Sequence, residues 1–263
     1  MQYGSAELRI KETKDKTKRA GMDISFLALV VILLAIGVTM VLSASFARAY
    51  FDPGGVTKGK ATYYFIRQFI FAALGVAAMI ICSRLPVGFY KRFSMPVLIA
   101  AVILLMLVPI IGTNANGAKR WIGLGAFTIQ PSEIAKIGMI LAFASMICAR
   151  RGRMKSFRYG ILPFAAILAA IVGLLVLEPH FSASIIIVAI GGVMLFLGGA
   201  RLVWFIAAAV AAGGGIAVLL TMFPYASTRI TTWRDPFAST SDEGYQIVQS
   251  LYSIGSGGLT GLG

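Results

Sequence analysis

The sequence predicts an all-α polytopic membrane protein, and three observations carry that expectation. Of the 263 residues, 58% are hydrophobic and only 13% charged, where a soluble domain carries about 25% charged residues. The apolar residues run in stretches of about twenty, the length a helix needs to cross roughly 30 Å of hydrocarbon. The 24 Lys and Arg, against 10 Asp and Glu, sit in short clusters between those stretches. Cations in that position set membrane orientation, whereas nucleic-acid binding gathers them on one folded face. An ordinary globular domain, a disordered chain and a disulfide scaffold are excluded, and no nucleic-acid partner is expected. Cys82 and Cys148 lie inside apolar stretches and read as small packing residues.

Seven stretches qualify as spans: 24–47, 63–83, 93–111, 132–149, 159–177, 181–199 and 202–223. The first is too long for a cleaved signal peptide and follows a polar tail, so it reads as a retained anchor. Residues 1–22 form a basic tail, 23–223 the seven-helix transmembrane region, and 224–263 the start of a large extracytoplasmic loop. With the N-terminus cytoplasmic, the inner connections hold 15 Lys and Arg and the outer ones 7, the bias expected of that orientation. The tail, with Lys11, Lys14, Lys16, Lys18 and Arg19 among acidic residues, suits a disordered segment against an anionic leaflet.

Two outer connections are unlike ordinary loops. In the first, Asn114-Ala115-Asn116-Gly117-Ala118-Lys119-Arg120-Trp121 leads on to Gln130-Pro131-Ser132-Glu133 and Lys136. Asn-Gly supplies a tight turn. Pro131 suits the first position of a helix, and Glu133 the positive end of its dipole. Glu133 and Lys136, three apart, share a helix face and pair. An interfacial aromatic belt with snorkelling cations is one reading of this segment. A polar cavity is the other, since charges entering a span usually face a pathway rather than lipid. The second connection is Glu178-Pro179-His180, a carboxylate, a helix breaker and the chain's single histidine in a minimal turn. With no nucleophile motif or second metal ligand beside it, His180 reads as structural. The last stretch carries Arg229 and Arg234, and five glycines fall in its final nine residues. No phosphate-loop pattern occurs. The residues alone leave transporter and enzyme equally open.

In order and in spacing, Asn116 to Ile122, Gln130 to Lys136, Glu178-Pro179, Asp235-Pro236-Phe237 with Gly244-Tyr245-Gln246 and Gln249-Ser250, and Ile254 to Leu259 resemble successive signatures of the SEDS family. These are the FtsW/RodA-type peptidoglycan polymerases, and the Trp-x-Asp-Pro-Phe stretch resembles the FtsW, division, branch more than RodA. The resemblance implies a ten-span fold and glycosyl transfer on lipid II, in which a sugar 4-hydroxyl attacks the lipid-linked anomeric carbon and undecaprenyl diphosphate leaves. Preorganised cations stabilise such a leaving group. Arg120 and Lys119 are the first candidates, then Arg229 and Arg234, with Glu133 and Lys136 lining the cavity and Trp121, Gln130 and Ser132 as further substrate contacts. No metal site and no cofactor is expected, a divalent cation being left open. The implied partners are lipid II, a monofunctional class B penicillin-binding transpeptidase and other division proteins. The implied location is the bacterial cytoplasmic membrane.

The sequence departs from the family pattern at two places. The family's catalytic aspartate lies further along the loop after the seventh span, so it is expected beyond Gly263. The chain is therefore expected to be an N-terminal portion without activity by itself, and Asp235 reads as a turn residue. His180 with Ser182-Ala183 also stands where the family has Asp and then Gly-Thr. The alternatives are a lipid II flippase, a scaffold without catalysis, and an elongation-type polymerase.

Overall fold

Continuous apolar stretches fold as helices because no water is at hand in lipid to satisfy an open backbone. The structure is a computed structural model that describes residues 23–52, 54–115, 118–125, 127–222, 224–240, 244–258 and 261. The basic tail lies outside the described residues. The chain falls into two compact units that divide after Leu85.

The first unit is a helical hairpin of α1 (Ile24–Tyr50) and α2 (Tyr63–Arg84). Asp23 caps α1, its carboxylate accepting from the Phe26 N–H at 3.0 Å. Thr57 is buried in the connection and donates to the Ala49 carbonyl at 2.8 Å, which ties the link to the end of α1. Arg67, charged within a span, donates to the Tyr63 hydroxyl at 2.8 Å and lies over its ring. This is how a long cation meets an interface.

The second unit starts with α3 (Val87–Ile111), a three-stranded antiparallel sheet of β1 (Thr113–Ala115), β2 (Ala118–Leu124) and β3 (Phe127–Ile129), and α4 (Pro131–Ala149). A 3-10 turn (Arg151–Arg153) and a π turn (Phe157–Ile161) lead into α5 (Leu162–Leu177). After it come α6 (Phe181–Leu197), α7 (Leu202–Met222), α8 (Pro224–Arg234) and, past a 3-10 turn, α9 (Tyr245–Gly257).

The core joins four helices: Leu98, Ala101 and Leu105 of α3, Ala135, Met139, Ala142, Phe143 and Met146 of α4, Phe164, Ile171 and Leu175 of α5, and Ala183, Ile187 and Leu195 of α6. These positions fall on one stripe per helix, mostly three or four residues apart or multiples of that spacing. Small residues let the backbones close in. A Cβ on Gly138 would stand 3.0 Å from the Leu98 Cα. The Phe143 and Phe164 rings meet edge to face with centroids 4.9 Å apart.

The all-α polytopic expectation holds, with three amendments. Among the described residues five helices, α1 to α4 and the stretch Phe157–Leu177, are long and apolar enough to cross a membrane, while α6 and the apolar part of α7, Leu202–Gly215, are shorter. The seven expected stretches are thus apolar helices, and among the described residues five of them meet that test of length and apolarity. Second, the connection after α3, where the sequence indicated a loop with tight turns, holds three paired strands, with Ala115 opposite Ala118 and Ile122 opposite Ile129. Third, the stretch after 223 is largely helical; α9 holds Ile247, Val248, Leu251, Tyr252 and Ile254 on one face and Gln246, Gln249, Ser250 and Ser253 on the other.

Candidate functional site

Strand β2 decides which of two adjacent cations enters the protein. Side chains alternate across a strand, and here Arg120 and Ile122 face inward while Lys119 and Trp121 are exposed. Lys119 donates from Nζ to the Pro109 carbonyl at 3.2 Å. That carbonyl belongs to the last turn of α3, where no helical N–H is left to meet it. Arg120 instead reaches 59 residues along the chain and donates from Nη2 to the Pro179 carbonyl at 2.6 Å. One guanidinium therefore ties the sheet to the corner between α5 and α6.

The corner and the start of α4 complete the cluster. Gln130 Nε2 lies 3.4 Å from His180 Nε2. One turn into α4, Lys136 Nζ meets Glu133 Oε2 at 2.8 Å, the three-residue pairing expected from the sequence. Ser132 is buried with its hydroxyl unpartnered, and Glu178 Oε1 and His180 Nδ1 are buried and unpartnered as well. Buried polar atoms without partners are rare in folded proteins. Three such atoms lie at one end of the bundle.

The electrostatics of the cluster depend on one buried carboxyl. Burial pushes the Glu178 carboxyl from the ordinary 4.5 up to about 7, with Arg120 opposing. Burial, then Arg120, hold the His180 ring below the ordinary imidazole range, Glu133 working the other way. His180 is thus neutral at pH 7, and a ring that accepts from the Gln130 amide at Nε2 carries its proton on Nδ1. With Glu178 protonated, Arg120, Lys136 and Glu133 sum to one positive charge, and ionisation of Glu178 cancels it. The site suits an anion near or below neutral pH.

Of the residues singled out from the sequence, Arg120, Gln130, Ser132, Glu133 and Lys136 lie in this region. Lys119 and Trp121 lie on the outer face of the sheet. Arg234 is exposed in the last turn of α8, and among the described residues it bonds to none of the cluster. The Arg229 side chain lies outside the described residues. Glu178 and His180 belong to the site and were not named as binding residues. The signal for Glu178 was its isolation, since it is the single carboxylate between Glu133 and Asp235. Among the described residues no group of three His, Cys, Asp or Glu could hold a metal ion.

Comparisons with known proteins agree on one family. The family model for FtsW, RodA and SpoVE, described as a cell cycle protein, matches residues 24–263. A probable peptidoglycan glycosyltransferase FtsW of Saccharophagus degradans is 38% identical over 248 residues, 92% of this chain and 62% of its own. Stage V sporulation protein E of Bacillus subtilis is 33% identical over 250 residues, 94% of this chain and 67% of its own. Among solved structures, a chain of a peptidoglycan synthase complex that coordinates polymerization and crosslinking matches with a TM-score of 0.62 at 26% identity. That match covers 85% of this chain and 66% of the other. A mutant of the rod shape determining protein RodA of Thermus thermophilus matches with a TM-score of 0.51 at 25% identity, over 66% of this chain and 57% of its own. The chain spans about three fifths of the length of the FtsW relatives it matches.

Proposed function

The chain belongs to the FtsW/RodA/SpoVE family of cell cycle proteins, and from that premise we propose that it serves a peptidoglycan glycosyltransferase that polymerises lipid II in bacterial cell division. The relatives' names support the reaction class. The observation that carries the assignment to this chain is the inward Arg120, bonded to the Pro179 carbonyl beside the Glu133–Lys136 pair.

In this reading the polar end of the second unit holds the diphosphate of the lipid-linked sugar. When the 4-hydroxyl of one sugar attacks the anomeric carbon of the other, charge builds on the departing diphosphate, and a fixed guanidinium aimed at it lowers the barrier. Arg120 is fixed through Pro179, and Lys136 is held toward the cluster by Glu133. Gln130 and Ser132 offer neutral hydrogen bonds, and the sheet and corner carry these groups on rigid backbone. The protein spans the cytoplasmic membrane with its N-terminus in the cytoplasm, so the sheet end meets the outer leaflet. A class B penicillin-binding transpeptidase that cross-links the strands is the matching partner.

Titration of lipid II against the protein in nanodiscs tests the reading. Saturable binding, competed by undecaprenyl diphosphate and not by the neutral undecaprenol, is expected. Equal competition by the neutral alcohol contradicts a diphosphate site. A dye-quenching assay in liposomes separates the rival activity, because translocation of lipid II by this protein marks a transporter.

A further inference from the structure

The end of the second unit away from the sheet holds charge of one sign. Arg150, Arg151, Arg153, Lys155 and Arg158 lie between α4 and α5, and Arg201 lies between α6 and α7. Residues 134–177 and 179–234 contain no Asp or Glu, and Glu178 sits at the far end of α5. Among the described residues none of these six cations has a carboxylate partner. Positive loops that only orient a membrane protein need no fixed geometry, yet this one has it. The guanidinium carbons of Arg153 and Arg158 lie 5.7 and 6.0 Å from the centre of the same Tyr159 ring. Arg150 lies over the Phe164 ring, and the Phe157 and Trp204 rings pack with centroids 4.8 Å apart. Two donors there, Arg150 Nη1 and Trp204 Nε1, are buried and unpartnered.

Like charges drawn onto one ring repel, and buried donors left unmet are costly. A phosphate relieves both, accepting from several guanidinium and indole N–H groups at once. Aromatic rings beside the cations fit headgroup depth. From the two guanidinium groups that share the Tyr159 ring, and from the unmet donors of Arg150 and Trp204, we propose that this end binds the phosphate of an anionic phospholipid at the inner leaflet. The proposal is independent of glycosyl transfer.

Native mass spectrometry of the protein released from nanodiscs tests it, with phosphatidylglycerol and phosphatidylcholine present in equal amounts. Selective retention of phosphatidylglycerol is expected. Arg153→Gln with Arg158→Gln should lower that retention about twenty-five-fold, in line with roughly fivefold for each cation near the surface. Arg151→Gln with Lys155→Gln removes the same charge from positions off the Tyr159 ring and should lower it much less. Equal retention of the two lipids, or equal losses from the two double variants, overturns the site. Displacement of the lipid by inorganic phosphate overturns the lipid as the source of the phosphate. A second measurement avoids substitution at the site. In a protein with Trp121→Phe and Trp233→Phe, Trp204 fluorescence should be quenched more by brominated phosphatidylglycerol than by brominated phosphatidylcholine. Equal quenching contradicts the proposal.

Discussion

The two ends of the second unit solve the same problem, charge beside a membrane, in different ways. At the sheet end, charges of both signs are set by backbone register: β2 turns Arg120 in and Lys119 out, and the first turns of α4 pair Lys136 with Glu133. At the loop end, cations alone gather on aromatic rings, with no carboxylate among the described residues to answer them. The difference teaches that a count of cations along the chain carries no direction. Direction comes from the period of the element that holds them, two for the strand and 3.6 for the helix.

The largest expected effect sharpens that contrast within the sheet end. Arg120→Ala should weaken lipid II binding about thirtyfold, the worth of roughly 2 kcal/mol for a charge-assisted contact. Lys119→Ala should change it less than about threefold, because its ammonium caps α3 on the other face. Similar losses from both, in nanodisc titrations, would break the comparison.

Next in size is the packing that holds the two ends together. Gly138→Leu sets a side chain against the α3 backbone and should cost about 1–3 kcal/mol, seen as a melting temperature lower by several degrees. Gly152→Leu, where nothing lies within 4 Å of a Cβ, should leave it nearly unchanged.

Smaller effects follow from Glu178. As pH rises through about 7 its ionisation cancels the site's net positive charge, so anion binding should fall about fivefold between pH 6 and 8. Glu178→Gln should keep the tighter binding across that range. The same group makes a stability statement of known sign. The folded protein holds a proton that the unfolded chain releases above the ordinary 4.5, so stability falls as pH rises from there through about 7 and levels off beyond. Glu178→Gln should therefore melt a few degrees higher than wild type at pH 8 and equally at pH 4, by thermal scans at both values. No gain at pH 8 would remove the buried carboxylate from the account.

Much of the fold was legible because lipid imposes length and apolarity on each span, and the helices begin and end near Asp23, Pro131 and Phe181 as the sequence indicates. Their inward stripes were not legible. Positions such as Leu98 and Ile171 face protein while their equally apolar neighbours face lipid, so no periodicity separates the two. The sheet was hidden because its strands are short and β2 sets two cations side by side in place of an alternating pattern, and Asn116-Gly117 was its one clear sign. The Glu133–Lys136 pair was readable from spacing alone. The Arg120–Pro179 bond was not, because 59 residues separate the partners. His180 seemed isolated for the same reason, its neighbours Gln130 and Arg120 coming from the other side of α4.

The central claim of the proposed function is that the sheet end faces the outer side of the membrane and the cationic end faces the cytoplasm. In a protein whose two cysteines are replaced by serine, Thr128→Cys on exposed β3 and Lys155→Cys in the basic loop are probed with an impermeant maleimide on intact spheroplasts. The expected result is labelling at 128 in intact cells and at 155 only after permeabilisation. Labelling in the reverse order contradicts the account.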